Sequence, residues 1–148
     1  MGRSLERKTS IAQSDVTGTA ELCANLTGIG TRAWTVTNGG TPPNDRPFGS
    51  IAYTDGVSYI SNYIKFTDFG FAVPSTATIN GIRLRYYRAG STSHGGYVQD
   101  NSVRLVVAGA VSGQNRATGA LWSTSLTQTT NGDATTLWGI DLTPAIVN

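Results

Sequence analysis

A chain of 148 residues holds one ordinary domain and is too short for two. Charged residues make up 14% of it, against about 25% in an average soluble domain, and the difference is filled by 18 glycines and many serines and threonines. The formal net charge of +2, with no dense run of Lys and Arg, excludes the electrostatic footprint of a nucleic-acid binder.

This composition favours short strands joined by turns over helices. With 39% hydrophobic residues and a low net charge, the chain is also unlike a disordered one. The single cysteine, Cys23, permits no intramolecular disulfide and reads as a small buried or idle thiol rather than a nucleophile. Arg3, Glu6, Arg7 and Lys8 are followed by polar residues rather than by the apolar run of a signal peptide. No stretch reaches the ~18 apolar residues of a membrane helix. The expectation is synthesis in a host cytoplasm, with no membrane and no nucleic acid as partner.

Residues 1–24 are polar and lack a two-residue alternation. They form an N-terminal arm, with room for a short helix over residues 4–8, and two readings stand side by side: a frayed terminus, or an arm that orders on a partner. The body is expected over residues 25–148. Residues 33–37 predict a strand with Trp34 and Val36 on one face. Asn38-Gly39-Gly40 and Pro42-Pro43-Asn44-Asp45 are turn chemistry. A short strand is expected over 50–54, stopped by Asp55-Gly56, and a longer one over 58–66.

The clearest alternation lies in residues 78–88, where Ile82, Leu84 and Tyr86 point one way and Arg83, Arg85 and Tyr87 the other. Leu84 and Trp138 are expected to be buried, and Arg83 and Arg85 exposed. After a polar loop over 89–96, residues 102–111 predict one strand that is apolar on both faces. Residues 112–136 look irregular around Trp122, and residues 137–142 predict a last strand. Thr143-Pro144 is a helix start, since Thr suits the N-cap and Pro the first helical position. The chain stops four residues later, which suggests a natural chain that runs on past Asn148. Turn signals every eight to twelve residues predict an all-β fold, an antiparallel β-sandwich or jelly-roll-like barrel with an extended N-terminal arm.

Catalytic chemistry is hard to assemble from these residues. The one histidine, His94, sits in a Ser/Gly loop where a Ser-His-Asp triad would be poorly held, and no nucleophile elbow is present. One Cys and one His far apart cannot hold zinc. Asn44, Asp45 and Asp55 form no calcium loop. Glu6 and Glu21 are the only glutamates, so a glycosidase pair would have to come from aspartates. Asn25-Leu26-Thr27 is a glycosylation sequon, read as incidental without a signal peptide. No catalytic residue, cofactor or metal is therefore expected. Two binding features remain. Arg83, Arg85, Arg88 and Arg104 lie on predicted strands and form the candidate binding set, suited to acidic neighbours or anionic glycans through planar bidentate contacts. The three tryptophans and six tyrosines are candidates for a sugar-stacking or interface platform, or for the core.

Several pieces in order resemble a domain of tailed-bacteriophage and prophage proteins. They are Asn62-Tyr63, Phe69-Gly70-Phe71-Ala72-Val73-Pro74, Ile79-Asn80-Gly81-Ile82 and the run from Asp100 to Val106. Asn115-Arg116-Ala117, Trp122, Leu137-Trp138-Gly139, Thr143-Pro144-Ala145 and Val147-Asn148 follow, and Ala33-Trp34 and Asp55-Gly56 lie upstream. The resemblance implies a non-enzymatic virion structural protein, most of all a tail-fibre or attachment component bound to other virion proteins. A capsid decoration protein is the first alternative, and a carbohydrate-binding module for host-surface glycans the second. By analogy it implies a homo-oligomer, a trimer. Relatives run on past the Val-Asn pair, and the arm lies outside the pattern.

The purified protein is expected to leave polysaccharides and peptidoglycan uncleaved. Turnover abolished by His94→Ala or by a single Asp→Asn change would overturn the non-enzymatic reading.

Overall fold

The computed structural model describes residues 14–38, 46–52, 56–91 and 96–148. His94, Asn44, Asp45, Asp55, the turns around them and the helix expected over 4–8 lie outside the described residues. The fold is all-β. Its strands are β1 (Leu22–Leu26), β2 (Thr35–Thr37), β3 (Phe48–Ser50), β4 (Tyr63–Thr67), β5 (Leu84–Arg88), β6 (Leu105–Val107), β7 (Ala110–Ser112) and β8 (Thr127–Asn131), followed by one helical turn, α1 (Pro144–Val147). The strands pair antiparallel in four two-stranded sheets, β1–β4, β2–β3, β5–β8 and β6–β7.

The β1 strand runs through position 24, the expected end of the arm. Cys23 pairs with Phe66 and Asn25 with Ile64. The ladder continues upstream, where Glu21 N donates to Thr67 O (3.2 Å) and Thr19 N to Phe69 O (3.0 Å). Residues 19–24 thus belong to the body's hydrogen bonding, which polar side chains do not prevent because backbone groups make the ladder. Phe69 and Phe71 stack at 5.6 Å beside it. The β1–β4 sheet lies against β2–β3 through Cys23, whose Sγ contacts the carbonyls of Thr37 and Phe48.

The run expected as one strand over 102–111 is instead the β6–β7 hairpin. Val107 pairs with Ala110, leaving the two-residue loop Ala108-Gly109 with φ of 50° and 82°. Positive φ at both loop positions marks a primed turn, the type that matches strand twist. Ala-Gly in place of Asn-Gly hid this turn, since an alanine rarely takes that conformation. Residues 137–142 also form no strand: Trp138 and Gly139 both turn left-handed, with φ of 58° and 70°. That turn drives Trp138 inward to complete burial, and its Nε1 donates to Ile82 O (2.9 Å). Burying an indole of 150–250 Å² contributes about 4–6 kcal/mol by area. The supposedly irregular 112–136 region contains β8, a polar strand with no apolar period to betray it. The helix start at Thr143-Pro144 is real, and α1 begins there.

The alternation of β5 is as expected, with Arg83, Arg85 and Tyr87 exposed, although Leu84 is half-buried rather than buried. Among the described residues, Cys23, Pro47, Arg88, Asn131 and Trp138 are the buried ones. Asparagine amides stand in for missing ladders. Asn25 exchanges two 2.7 Å bonds with the Trp34 backbone, and Asn148 two 2.9 Å bonds with the Val73 backbone. Asn115 accepts from Val103 N and donates to Asn101 O.

A turn at residues 133–136 buttresses the start of β5. Asp133 Oδ1 accepts from Thr135 N (2.7 Å), Thr135 Oγ1 (2.8 Å) and Thr136 Oγ1 (2.9 Å), and these bonds hold its pKa down at about 2. A depressed carboxylate contributes stability above its unfolded pKa, near 3.9, and loses it as pH falls through the folded value. Asp133→Ala should therefore lower the denaturation midpoint at neutral pH, and the gap from wild type should shrink between pH 4 and 2. An unchanged gap in urea titrations across that window would exclude the bonded carboxylate as the cause.

Candidate binding face

The four candidate arginines do not share one surface. Arg85 lies on the exposed face of β5 and Arg83 is exposed just before the strand begins, whereas Arg88 points inward and is buried. The reason is parity: 83 and 85 are odd positions on a period-two run, and 88 is even. Arg104 is exposed, but its Nη1 donates to Gly113 O next to the β6–β7 hairpin.

Arg88 belongs to a cluster around Asp100. Its Nη1 forms an ion pair with Asp100 Oδ2, and both side chains are only 9% exposed. Tyr86 Oη donates to the same oxygen (2.7 Å), and Trp122 Nε1 donates to Oδ1 (3.2 Å). The guanidinium carbon lies 5.6 Å from the Trp122 ring centroid and 6.0 Å from that of Tyr86. Burial pushes the Tyr86 hydroxyl above its usual pKa, with the Arg88 charge opposing it. Each oxygen of Asp100 is engaged, so this is a scaffold joint rather than an open acid.

On the other side of these strands lies an exposed face. Arg85 stands opposite Thr130, and Tyr87 opposite Gln128, whose Nε2 donates to Tyr87 Oη (3.2 Å). The segment 96–100 continues it. Gln99 bridges Leu121, and Trp122 N donates to Val98 O (2.8 Å), so Tyr97, Gln99 and Leu121 are exposed while Val98, Asp100 and Trp122 turn inward. Gly90 N to Ser123 O (2.8 Å) ties this segment to the end of β5. Tyr87 and Tyr97 are 57% and 71% exposed. Side chains two apart on a strand repeat at about 7 Å, so Arg83 and Arg85 present two guanidinium forks in a row. Neither has a partner among the described residues.

The tryptophans supply no exposed platform. Trp138 is fully buried, Trp122 is held on Asp100, and Trp34 Nε1 donates to Asn62 O (2.7 Å). Among the described residues the exposed aromatics are Phe48, Tyr87 and Tyr97, two of them from the candidate tyrosines; Gln99 was missed because alternation over residues 96–100 is too short to stand out beside the glycines. Cys23 is buried, and that burial raises its thiol pKa, so thiolate reactivity is suppressed. The Asn25 amide is committed on both atoms to Trp34, which leaves the sequon without a free nitrogen. Among the described residues no group of three or more His, Cys, Asp or Glu is placed to hold a metal ion, and no helix is long and apolar enough to cross a membrane. No family model, curated protein or solved structure matches this chain.

Removing one partner of a buried ion pair leaves the other charge uncompensated, at a cost of about 3–5 kcal/mol. Asp100→Asn should lower stability by that order, whereas Arg85→Ala should change it by less than about 0.5 kcal/mol. Equal losses in chemical denaturation would show that the Asp100 cluster is not a joint.

Proposed function

We propose that the chain is a non-enzymatic structural protein of a tailed-phage virion, a tail-fibre or attachment component that works by surface recognition. The β body would be arranged as a sandwich or jelly-roll-like barrel. The observation that carries the reading is the separation of roles on β5. The polar groups facing inward are bonded to one another, while Arg83 and Arg85 face outward without partners among the described residues, as do the exposed Tyr87 and Tyr97. Such a face suits an acidic surface on a neighbouring protein, because planar guanidinium forks recognise carboxylates in pairs. The order of the phage-like sequence pieces gives the virion context. The role of Asn148 in clasping Val73 supplies a physical use for one of those pieces.

A second reading, a module for anionic host-surface glycans, is favoured by one feature of the same face. Exposed tyrosines beside Gln99 and Gln128 offer rings for stacking and amides for hydroxyl groups.

The test is to probe gradient-purified particles with an antibody raised against the chain and to locate the label by electron microscopy. Label on the tail is the expected result. Label on the head would select the decoration role, and intact particles without the chain would overturn the virion reading. A glycan-array screen with Arg83→Glu/Arg85→Glu alongside wild type separates the second reading: charge-dependent binding to anionic glycans would favour it, and none would remove it.

A further inference from the structure

We propose that Asn80 is a site of spontaneous modification: its side-chain amide cyclises onto the Gly81 nitrogen and opens to isoaspartate, and the altered backbone loosens the start of β5 from the turn at residues 133–136. This concerns the body's own chemistry and does not depend on the role proposed above.

Asparagine is a thermolabile side chain. Its cyclisation is fastest before glycine, because any other residue carries a Cβ that crowds the attacking main-chain nitrogen. Glycine follows asparagine at positions 38, 80 and 131. The reaction also needs a side chain free to bring Cγ to that nitrogen, and a nitrogen not committed to a carbonyl. The structure sorts the pairs by these demands. Asn131 is 3% exposed, its Nδ2 donates to Arg116 O (2.6 Å), and it pairs with Leu84 in the β5–β8 ladder. Asn38 Oδ1 accepts from Cys23 N, and Gly39 lies outside the described residues. Asn80 is exposed and outside any strand, and its side chain has no hydrogen-bond partner among the described residues. The Gly81 nitrogen has no carbonyl partner there either; the bond to the turn is made one residue later, from Ile82 N to Thr136 O (2.9 Å).

The fold itself keeps glycine at 81. A Cβ there would stand 2.6 Å from Ala134 C, 2.6 Å from Thr136 N and 2.7 Å from Asp133 O. These are backbone atoms of the turn that buttresses β5, so a side chain fits only if the turn moves. Close packing thus demands the residue that makes its exposed neighbour labile.

The reaction balances with water alone. The Gly81 nitrogen loses its proton to hydroxide and bonds to Asn80 Cγ, and the amide nitrogen leaves as ammonia after taking a proton from water. A second water opens the resulting succinimide at the former main-chain carbonyl. Its hydroxyl stays on that carbon as a carboxylate, and its proton returns to the Gly81 nitrogen. The main chain then runs through Cβ and Cγ of residue 80 and is one carbon longer. The extra carbon falls directly before the closest approach to the turn. Two residues on, the Ile82 carbonyl holds Trp138 Nε1 (2.9 Å), so the displacement reaches the buried anchor.

The test is peptide mapping of the full folded chain before and after prolonged incubation at mildly alkaline pH, with isoaspartate counted by enzymatic methylation. Tryptic cleavage after Lys65 and Arg83 releases residues 66–83, in which Asn80 is the one asparagine. Isoaspartate should accumulate in that peptide. Asn131 should convert about tenfold or more slowly, since it reacts only when β8 opens. In denaturant the two should convert at similar rates, which assigns the difference to the fold. Asn80→Gln should abolish the signal, because glutamine would have to close a larger and slower ring. The aged wild-type chain should unfold at lower urea than equally aged Asn80→Gln. It should also unfold at lower urea than fresh Asn80→Asp, which has the new charge on a normal backbone. An Asn80 that stays intact in the folded chain, or a folded Asn131 that converts as fast, would overturn the site. An aged chain rich in isoaspartate whose midpoint equals that of Asn80→Asp would overturn the loosening of β5.

Discussion

The carboxylate of Asp100 joins three segments that no shared sheet holds together. Arg88 and Tyr86 reach it from β5, Trp122 reaches it from the segment before β8, and Asp100 itself ends the run that begins at Gly96. In a body with so few buried apolar side chains, this joint replaces much of what a packed core would do. A buried charge is tolerable only when its partners are complete, because the low dielectric that strengthens each bond also raises the cost of a missing one. Here both oxygens are occupied and the guanidinium is flanked by two aromatic rings. The outward orientation of Arg83, Arg85 and Tyr87 follows from fixing their even-numbered neighbours inward.

The same economy appears in the amides. Asn25, Asn115 and Asn148 each bridge backbone groups that would otherwise lack a strand partner. An amide side chain carries an acceptor and a donor side by side, as a peptide unit does, so it can imitate one rung of a ladder. These rungs let short strands end without leaving the chain loose. Trp138 supplies the complementary apolar anchor, and the positive φ of Gly139 beside it, 70°, favours glycine there.

Polar joints of this kind fix geometry without filling space. The strands are held in register while many of their inward side chains stay only half-buried. Arg83 and Arg85, without side-chain partners among the described residues, then share an exposed face with Tyr87, a combination more usual at an interface than on an isolated monomer. The recognition role proposed above draws on this face of the body.

The sequence by itself determined the all-β character, the phase of β5 and the start of α1, because backbone propensity, side-chain alternation and the Thr-Pro pair are local signals. It also marked Trp138 as an anchor. It could not show that 102–111 folds back on itself, since an Ala-Gly turn has no strong local signature, nor that the polar run 127–131 is a strand, since only pairing with β5 makes it one. Of the four arginines singled out, strand parity separated Arg88 from Arg83 and Arg85 in principle. What removed Arg88 from the surface was Asp100, twelve residues away and on another segment. Hydrogen-bond pairing and charge pairing between distant segments are decided by tertiary structure, because nothing in either segment alone specifies its partner.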